Sequence, residues 1–576
     1  MRAASSCRRL LACVLALISL VASAQTPPVR YDLSADIFRP VAARQGMVAT
    51  DHRLASEVGV AILRRGGNAV DAAVAVGFAL AVVYPSAGNL GGGGFMLIHD
   101  ARRGRQVALD FREKAPSGAR RDMFLDAQGQ VVPGRSLFTP LAVGVPGTVA
   151  GLAHALEAYG SLPLREVIAP AIRLARRGFP VSDELAQMLE AQREHLGAWP
   201  ASRAVFFRDG RPLRAGERLV QKDLAASLAL IARQGPAAFY RGAIGRRIAA
   251  ALAPHGGLIT AEDLARYQVV ERPPVSGDYR GYRIVSMPPP SSGGTHIVQM
   301  LNLLERYPLA EMGAGSAQVI HLEAEAMKLA YADRAEYLGD PDFIRVPVHG
   351  LTSRAYADEL AAGIDPERAT PAARIRPGRP APYESEQTTH YSVADRHGNV
   401  VSTTYTLNLA FGSGIVAAGT GILLNNEMDD FAAKPGVANA FGLVGGEANA
   451  VAPEKRPLSS MSPTIVLKDG KPWLVTGSPG GSRIITATLQ TIINSIDFGM
   501  NPAEAAAAPR IHHQWTPDEL RVEKGLSPDT LRLLAQKGHP LRTGQTMGRT
   551  QTIRIDPEGF RGASDPRSPD SATLGY

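Results

Sequence analysis

Apolar residues recur at three- and four-residue spacing over 148–159, 164–177, 222–233 and 319–337, which predicts a mostly helical middle third. Upstream, 54–65 shows the same spacing and stops at Gly66-Gly67. Asn68 then stands where it can cap a second helix, with Asp71 at its third position. The run 72–84 in that helix is apolar nearly all round, so it predicts burial on every face. Gly91-Gly92-Gly93-Gly94 precedes a strand-like Phe95-Met96-Leu97-Ile98. Such a run could cradle phosphate, but the Lys-Ser/Thr of a P-loop is missing, which leaves a backbone packed tightly against a neighbour. Met287-Pro288-Pro289-Pro290-Ser291-Ser292-Gly293-Gly294 reads as a rigid turn feeding a helix from Thr295.

Residues 365–386 are rich in Pro, Arg and Ala without periodicity, which predicts an exposed, cleavable linker. Beyond it, 389–394 and 400–408 read as paired strands around Asp395-Arg396-His397-Gly398-Asn399. Further strands are predicted at 463–467 and 473–476. Helices are predicted at 483–495, 502–508 (Asn501 capping, Pro502 in the first turn) and 528–537. Helices and antiparallel-looking hairpins in blocks indicate a layered α+β class, not alternating βαβ units.

The opening segment is of another kind. Arg8 and Arg9 precede an apolar run, 10–21, and Ala22-Ser23-Ala24 supplies small residues for cleavage, so 1–24 reads as a secretory signal peptide. The run is too short for a membrane anchor, and the competing reading is an uncleaved buried helix. Both cysteines, Cys7 and Cys13, fall inside it. A mature chain without thiols has no cysteine nucleophile, structural disulfide or Cys-ligated zinc, and its expected place is periplasmic or secreted. Across 576 residues, 45% hydrophobic and 20% charged, with Gly 58 and Pro 42, the composition excludes collagen, coiled coil and wholesale disorder. Length alone allows several domains or one large fold. The formal charge of +8 drops to about +5 without Arg2, Arg8 and Arg9, a weak basis for binding nucleic acid.

Common hydrolase signatures are absent: no Gly-x-Ser-x-Gly, no Ser-x-x-Lys, no His-Glu-x-x-His. His512-His513 are adjacent, poor geometry for two metal ligands on one face. What stands out lies between 387 and 483: Gln387-Thr388-Thr389-His390-Tyr391-Ser392, Thr404-Tyr405-Thr406-Leu407-Asn408, Asn425-Asn426-Glu427-Met428-Asp429-Asp430-Phe431, Arg456-Pro457-Leu458-Ser459-Ser460-Met461-Ser462-Pro463 and Thr476-Gly477-Ser478-Pro479-Gly480-Gly481-Ser482-Arg483. With Gly66-Gly67-Asn68-Ala69-Val70-Asp71-Ala72-Ala73, the glycine run and Asp110-Phe111-Arg112-Glu113, the chain closely resembles the gamma-glutamyltransferases (gamma-glutamyltranspeptidases, glutathione hydrolases) from about residue 35 to its end.

That resemblance implies an αββα sandwich of the N-terminal-nucleophile hydrolases and self-cleavage between Gln387 and Thr388. A large subunit, 25–387, and a small catalytic subunit, 388–576, would stay interlocked as a heterodimer. A freed Thr388 is chemically sensible. Its hydroxyl is a weak nucleophile, and cleavage creates an α-amine on the same residue, with a reference pKa of about 7.7–8.0, that can take the hydroxyl proton. By position, Thr406 matches the residue that orients the nucleophile, and the backbone of Gly480 and Gly481 matches the oxyanion hole. Arg112 matches the arginine that forks onto the donor's α-carboxylate, with Ser459 and Ser460 as further donors to it. Asn408, Glu427 and Asp430 match the acceptors for its α-ammonium.

Taken singly, Arg112 would be a surface ion pair, Asp429-Asp430 a solvated turn, Ser459-Ser460 a helix cap and Gly480-Gly481 a tight bend. In this order they supply both charges for one zwitterion. Glu113 reads as structural. The implied activity is γ-glutamyl transfer from glutathione and related compounds to water, amino acids or short peptides, with no metal or organic cofactor. The alternatives are a cephalosporin or glutaryl acylase of the same family, or an inactive binding protein on the same fold. Residues 435–446 match a lid loop in which many bacterial members carry a tyrosine bonded to the equivalent of Asn408. Here the residue is Phe441, which predicts a looser gate.

Overall fold

The structure, a computed structural model, describes residues 38–380, 392–544 and 546–576. Residues 1–24, read above as a signal, and the Gln387-Thr388 bond lie outside the described residues. Two seven-stranded antiparallel sheets form the centre. One runs Ala572–Gly575, Gly46–Thr50, Ser392–Asp395, Val400–Thr406, Gly93–Asp100, Arg105–Phe111 and Val270–Arg272 in spatial order. The other runs Val41–Ala43, Gly559–Ser564, Gln551–Asp556, Lys471–Thr476, Thr464–Lys468, Tyr282–Ser286 and Val275–Tyr279. Both sheets interleave strands from before and after 381–391, so neither half of the chain could keep its core alone.

Strand side chains alternate between faces, and the alternation makes the layers. Met47, Ala49, Phe95, Leu97, Ala394 and Val400 point to one face and meet Val285, Ile465, Val475 and Ile553 of the second sheet. Their neighbours Val48, Met96, Ile98, Val393 and Val401 point the other way, into a helical layer that includes Ala69–Val83 and Thr148–Tyr159. Ile284, Val466 and Leu474 do the same on the far side, under Gly293–Leu304, Ala317–Tyr337 and Arg483–Ile496. The result is the expected αββα sandwich. The run 95–98 lacks polar alternation because both faces of its strand are covered.

Local signals are realised closely. All fifteen residues of Ala69–Val83 are buried, and the helix begins with a capping box in which Asn68 Oδ1 accepts from Val70 and Asp71 N–H, while Asp71 accepts from Asn68 N–H. The helix starts three residues before the apolar run because the cap, not the run, sets its beginning. A Cβ on Gly92 or Gly94 would collide with the carbonyl oxygens of Thr406 or Thr404, so the glycine run is a site of close backbone approach. The hairpin pairs Ser392 with Ser402, and its turn puts Gly398 at φ +83°.

The described part of the linker, 365–380, is largely exposed as expected, yet it is also tied down. Ala369, Ala372 and Ile375 are buried, Thr370 N–H donates to Glu325 Oε1 at 3.1 Å, and Gly378 N–H donates to Asp333 Oδ1 at 2.8 Å. An aperiodic segment satisfies its backbone with side chains of a distant helix, which its own composition does not reveal. Among the described residues no helix is long and apolar enough to cross a membrane.

Candidate active site

Where the first sheet meets the loops after Thr406 and Thr476 lies a cavity of about 350 Å³. Arg112, Thr406, Asn408, Glu427, Asp430, Ser459, Ser460, Gly480 and Gly481, spread over some hundreds of residues of sequence, all line it. Thr388 lies outside the described residues.

Arg112 follows the strand Arg105–Phe111 and is fully buried. Its Nη1 pairs with Glu427 and its Nη2 with Asp430 Oδ2 at 2.6 Å, while Nε donates to the Pro457 carbonyl at 3.2 Å. Burial works against its charge, but Glu427, Asp430 and Glu113 outweigh that and hold it protonated. In this structure the fork is engaged by the same acids that the resemblance assigns to the ammonium. Sequence position supplies the charges but not which of them touch.

The acids are perturbed accordingly. Burial pushes Glu427 well above the usual carboxylate range and raises Asp430, with Arg112 opposing both shifts. Glu113, fully buried 3.9 Å from Arg112, is pushed by burial up to about 7. Glu113 thus adds a third buried acid to the group around one guanidinium.

The remaining groups offer protons to the cavity. Thr406 Oγ1 accepts from Asn408 N–H at 2.8 Å, leaving its own hydroxyl proton uncommitted. Asn408 sits at φ +78°, and its side-chain amide donates to the Asn426 carbonyl at 2.9 Å. Ser459 Oγ accepts from Met461 N–H at 3.2 Å and Ser460 Oγ from Arg334 Nη2 at 3.1 Å, so both serines keep a proton to donate. Gly480 and Gly481 stand just before the helix Arg483–Ile496, with φ +139° and +60°. Among the described residues no acceptor takes either N–H, so both donors are free beside the cavity.

The loop 435–446, which matches the family's lid by resemblance, carries Phe441 over Gly481. It is stitched through other atoms: Ala440 N–H donates to Asp429 Oδ2 at 3.0 Å, Asn439 Nδ2 to Asp430 Oδ1 at 3.2 Å, and Gln514 Nε2 to the Gly442 carbonyl at 2.8 Å.

With this geometry in place, the comparisons with known proteins decide the family. The gamma-glutamyltranspeptidase family model matches residues 55–575. The chain belongs to the gamma-glutamyltranspeptidase family. This family member is 60% identical over 560 residues to the glutathione hydrolase proenzyme of Escherichia coli (strain K12), covering 97% of this chain and 96% of that one. It is 42% identical over 530 residues to the acylase ACY 1 proenzyme of Pseudomonas sp. (strain SE83), covering 90% and 92%. Among solved structures, cephalosporin acylase from Bacillus halodurans matches with TM-score 0.84 at 31% identity over 96% of this chain and 99% of that chain. The gamma-glutamyltranspeptidase of Helicobacter pylori matches with TM-score 0.57 at 50% identity over 58% and 95%. The glutathione hydrolases are thus nearer in sequence than the acylase, and the sandwich is of the N-terminal-nucleophile hydrolase type.

Outside the cavity, His321, Glu325 and His539 bring ligand-type atoms within 4.8 Å of one another. The group already bonds internally. His321 Nε2–H donates to the Asp365 carbonyl at 2.8 Å, which leaves Nδ1 to accept from His539 Nε2–H at 2.8 Å, and Lys328 Nζ lies 2.6 Å from Glu325. It serves to anchor residues 365–370. His512 and His513 bond Thr486, Gln514 and Asp518.

Sequence reasoning passed over Arg334, which backs Ser460, and Asp51, Tyr84 and Arg549, which line the same cavity. Arg334 is one of several charged residues, with Glu323, Glu325, Lys328 and Asp333, that this helix buries.

Proposed function

We propose that this enzyme takes the γ-glutamyl group of glutathione and related γ-glutamyl amides onto Thr388 and passes it to water or to an amino acid or short peptide. Cleavage between Gln387 and Thr388 would give a large subunit, 25–387, and a small one, 388–576, joined by the mixed sheets. The freed α-amine takes the Thr388 hydroxyl proton, and the oxygen attacks the γ-carbonyl with Thr406 orienting it. The oxyanion is held by Gly480 and Gly481 N–H. The C–N bond then breaks, the amine leaves with the proton, and water or an incoming amine releases the acyl group by the same steps in reverse. Removal of 1–24 would place the protein outside the cytoplasm.

The observation that carries the donor assignment is the ion pairing of Arg112 with Glu427 and Asp430 in the cavity wall. A zwitterion can separate that pairing and satisfy both sides, its carboxylate on Arg112, Ser459 and Ser460 and its ammonium on Asp430, Glu427 and Asn408. A glutaryl group has no ammonium, so its carboxylate on Arg112 would leave the acids unpaired in a buried site, at a cost of roughly several kcal/mol. The test compares L-γ-glutamyl-p-nitroanilide with glutaryl-p-nitroanilide, with Thr388→Ala as control. We expect faster γ-glutamyl turnover and two fragments on a denaturing gel, and an unprocessed, inactive Thr388→Ala chain. Faster glutaryl turnover would transfer the enzyme to the acylases.

A further inference from the structure

Arg334 lies near the end of the helix Ala317–Tyr337 and is only 5% exposed. The other buried arginines Arg112, Arg272, Arg456 and Arg510 each have a carboxylate within ion-pairing distance. Among the described residues Arg334 has none. Its Nε donates to Ser292 Oγ at 2.9 Å and its Nη2 to Ser460 Oγ at 3.1 Å. The acid whose field it feels is Asp430, and that carboxylate is bonded to Arg112. An isolated buried charge is expensive unless something repays it.

The two serines show where repayment can come from. Ser292 Oγ accepts from Arg334 and donates to the Ser459 carbonyl at 2.9 Å, and Ser292 N–H reaches the same oxygen at 2.9 Å. Ser460 Oγ accepts from Arg334, so its proton must point elsewhere, and no protein acceptor takes it among the described residues. One guanidinium thereby fixes the Ser459-Ser460 backbone and forces the Ser460 proton to remain available to the cavity. An anion accepting that proton would be stabilised by the cation one hydroxyl behind it.

We propose that Arg334 is a positioning residue that, through Ser460 and Ser292, makes the enzyme select donors bearing an α-carboxylate. This rests on the γ-glutamyl reading above and adds to it a second, concealed cation. Arg112 must give up two acids to meet the donor's carboxylate, whereas Arg334 has no carboxylate to release and supports that anion from behind Ser460. Arg334 touches neither the donor nor the reacting atoms.

The test measures kcat and KM for L-γ-glutamyl-p-nitroanilide and for 4-aminobutanoyl-p-nitroanilide, which keeps the amine and lacks the carboxylate. Arg334→Gln should lower kcat/KM for the first on the order of 10- to 100-fold, chiefly through KM, and leave the second within about threefold, so the preference between them collapses. Arg334→Lys, which keeps the charge, should recover part of the preference. If Arg334→Gln is not processed or does not fold, Ser292→Ala decides, with a smaller loss in the same direction. Equal losses on both donors, or an unchanged preference in the variant that folds, would overturn the inference while leaving the γ-glutamyl activity established. No turnover of the γ-glutamyl donor by the unmodified enzyme would instead defeat the functional reading itself.

Discussion

The Phe441 ring lies directly on Gly481, so that a Cβ at residue 481 would collide with its Cδ1 and Cε1. The backbone there is also at φ +60°, which disfavours any side chain. The loop residue Phe441 and the proposed oxyanion donor Gly481 are thus in one contact.

Gly481→Ala should therefore reduce kcat for γ-glutamyl-p-nitroanilide by about 100-fold or more, the usual cost of displacing an oxyanion donor. Phe441→Ala in the same chain should relieve the collision but not the backbone strain, returning only part of the rate. Full recovery in the double variant would show that space alone matters at this position.

Because the lid is held by Ala440, Asn439 and Gln514, it can close without a hydroxyl at residue 441. Phe441→Tyr should add a polar group at the ring edge, tighten the gate and lower hydrolysis relative to transfer to glycylglycine. Product analysis at fixed acceptor concentration checks this. An unchanged ratio would mean that the aromatic ring alone controls water access.

Burial, with the Asp497 charge adding to it, pushes the Glu323 carboxyl from 4.5 up to about 8. The folded state thus binds this proton more tightly than the unfolded chain. The stability it contributes is complete below about pH 4.5 and is lost as pH rises toward 8, at about 1.4 kcal/mol per pH unit. Glu323→Gln should remove that loss, raising the thermal midpoint relative to the parent more at pH 7.5 than at pH 5. A difference independent of pH would show that the carboxyl is not the titrating group.

Asp71 is buried and binds four donors: the Asn68 N–H, the Ser161 N–H and hydroxyl, and the Leu162 N–H, at 2.6 to 3.0 Å. Asp71→Ala strands those donors and should cost about 2–4 kcal/mol, read as a shifted urea midpoint. Asp71→Asn, which keeps the shape and some of the bonds, should cost less.

The local elements were legible in the sequence. The helices Thr148–Tyr159 and Leu164–Arg177 occupy the residues their periodicity marks, and the Asn68 and Asn501 caps are formed. These features depend on residues within a turn or two of one another, so spacing alone decides them. The candidate site residues named by motif resemblance are gathered by the cavity wherever they are described, while Asp51, Tyr84 and Arg549 beside them were not foreseen.

What the tertiary structure decided is who touches whom. That Arg112 holds Glu427 and Asp430, that Arg334 stands behind Ser460 without an acid, and that 365–378 is fastened to Glu325 and Asp333 are contacts between residues far apart in the chain. Two sheets pressed face to face bring these groups into a space with little water. There, burial and the few partners within reach set each charge, and no count of residues along the sequence contains that information.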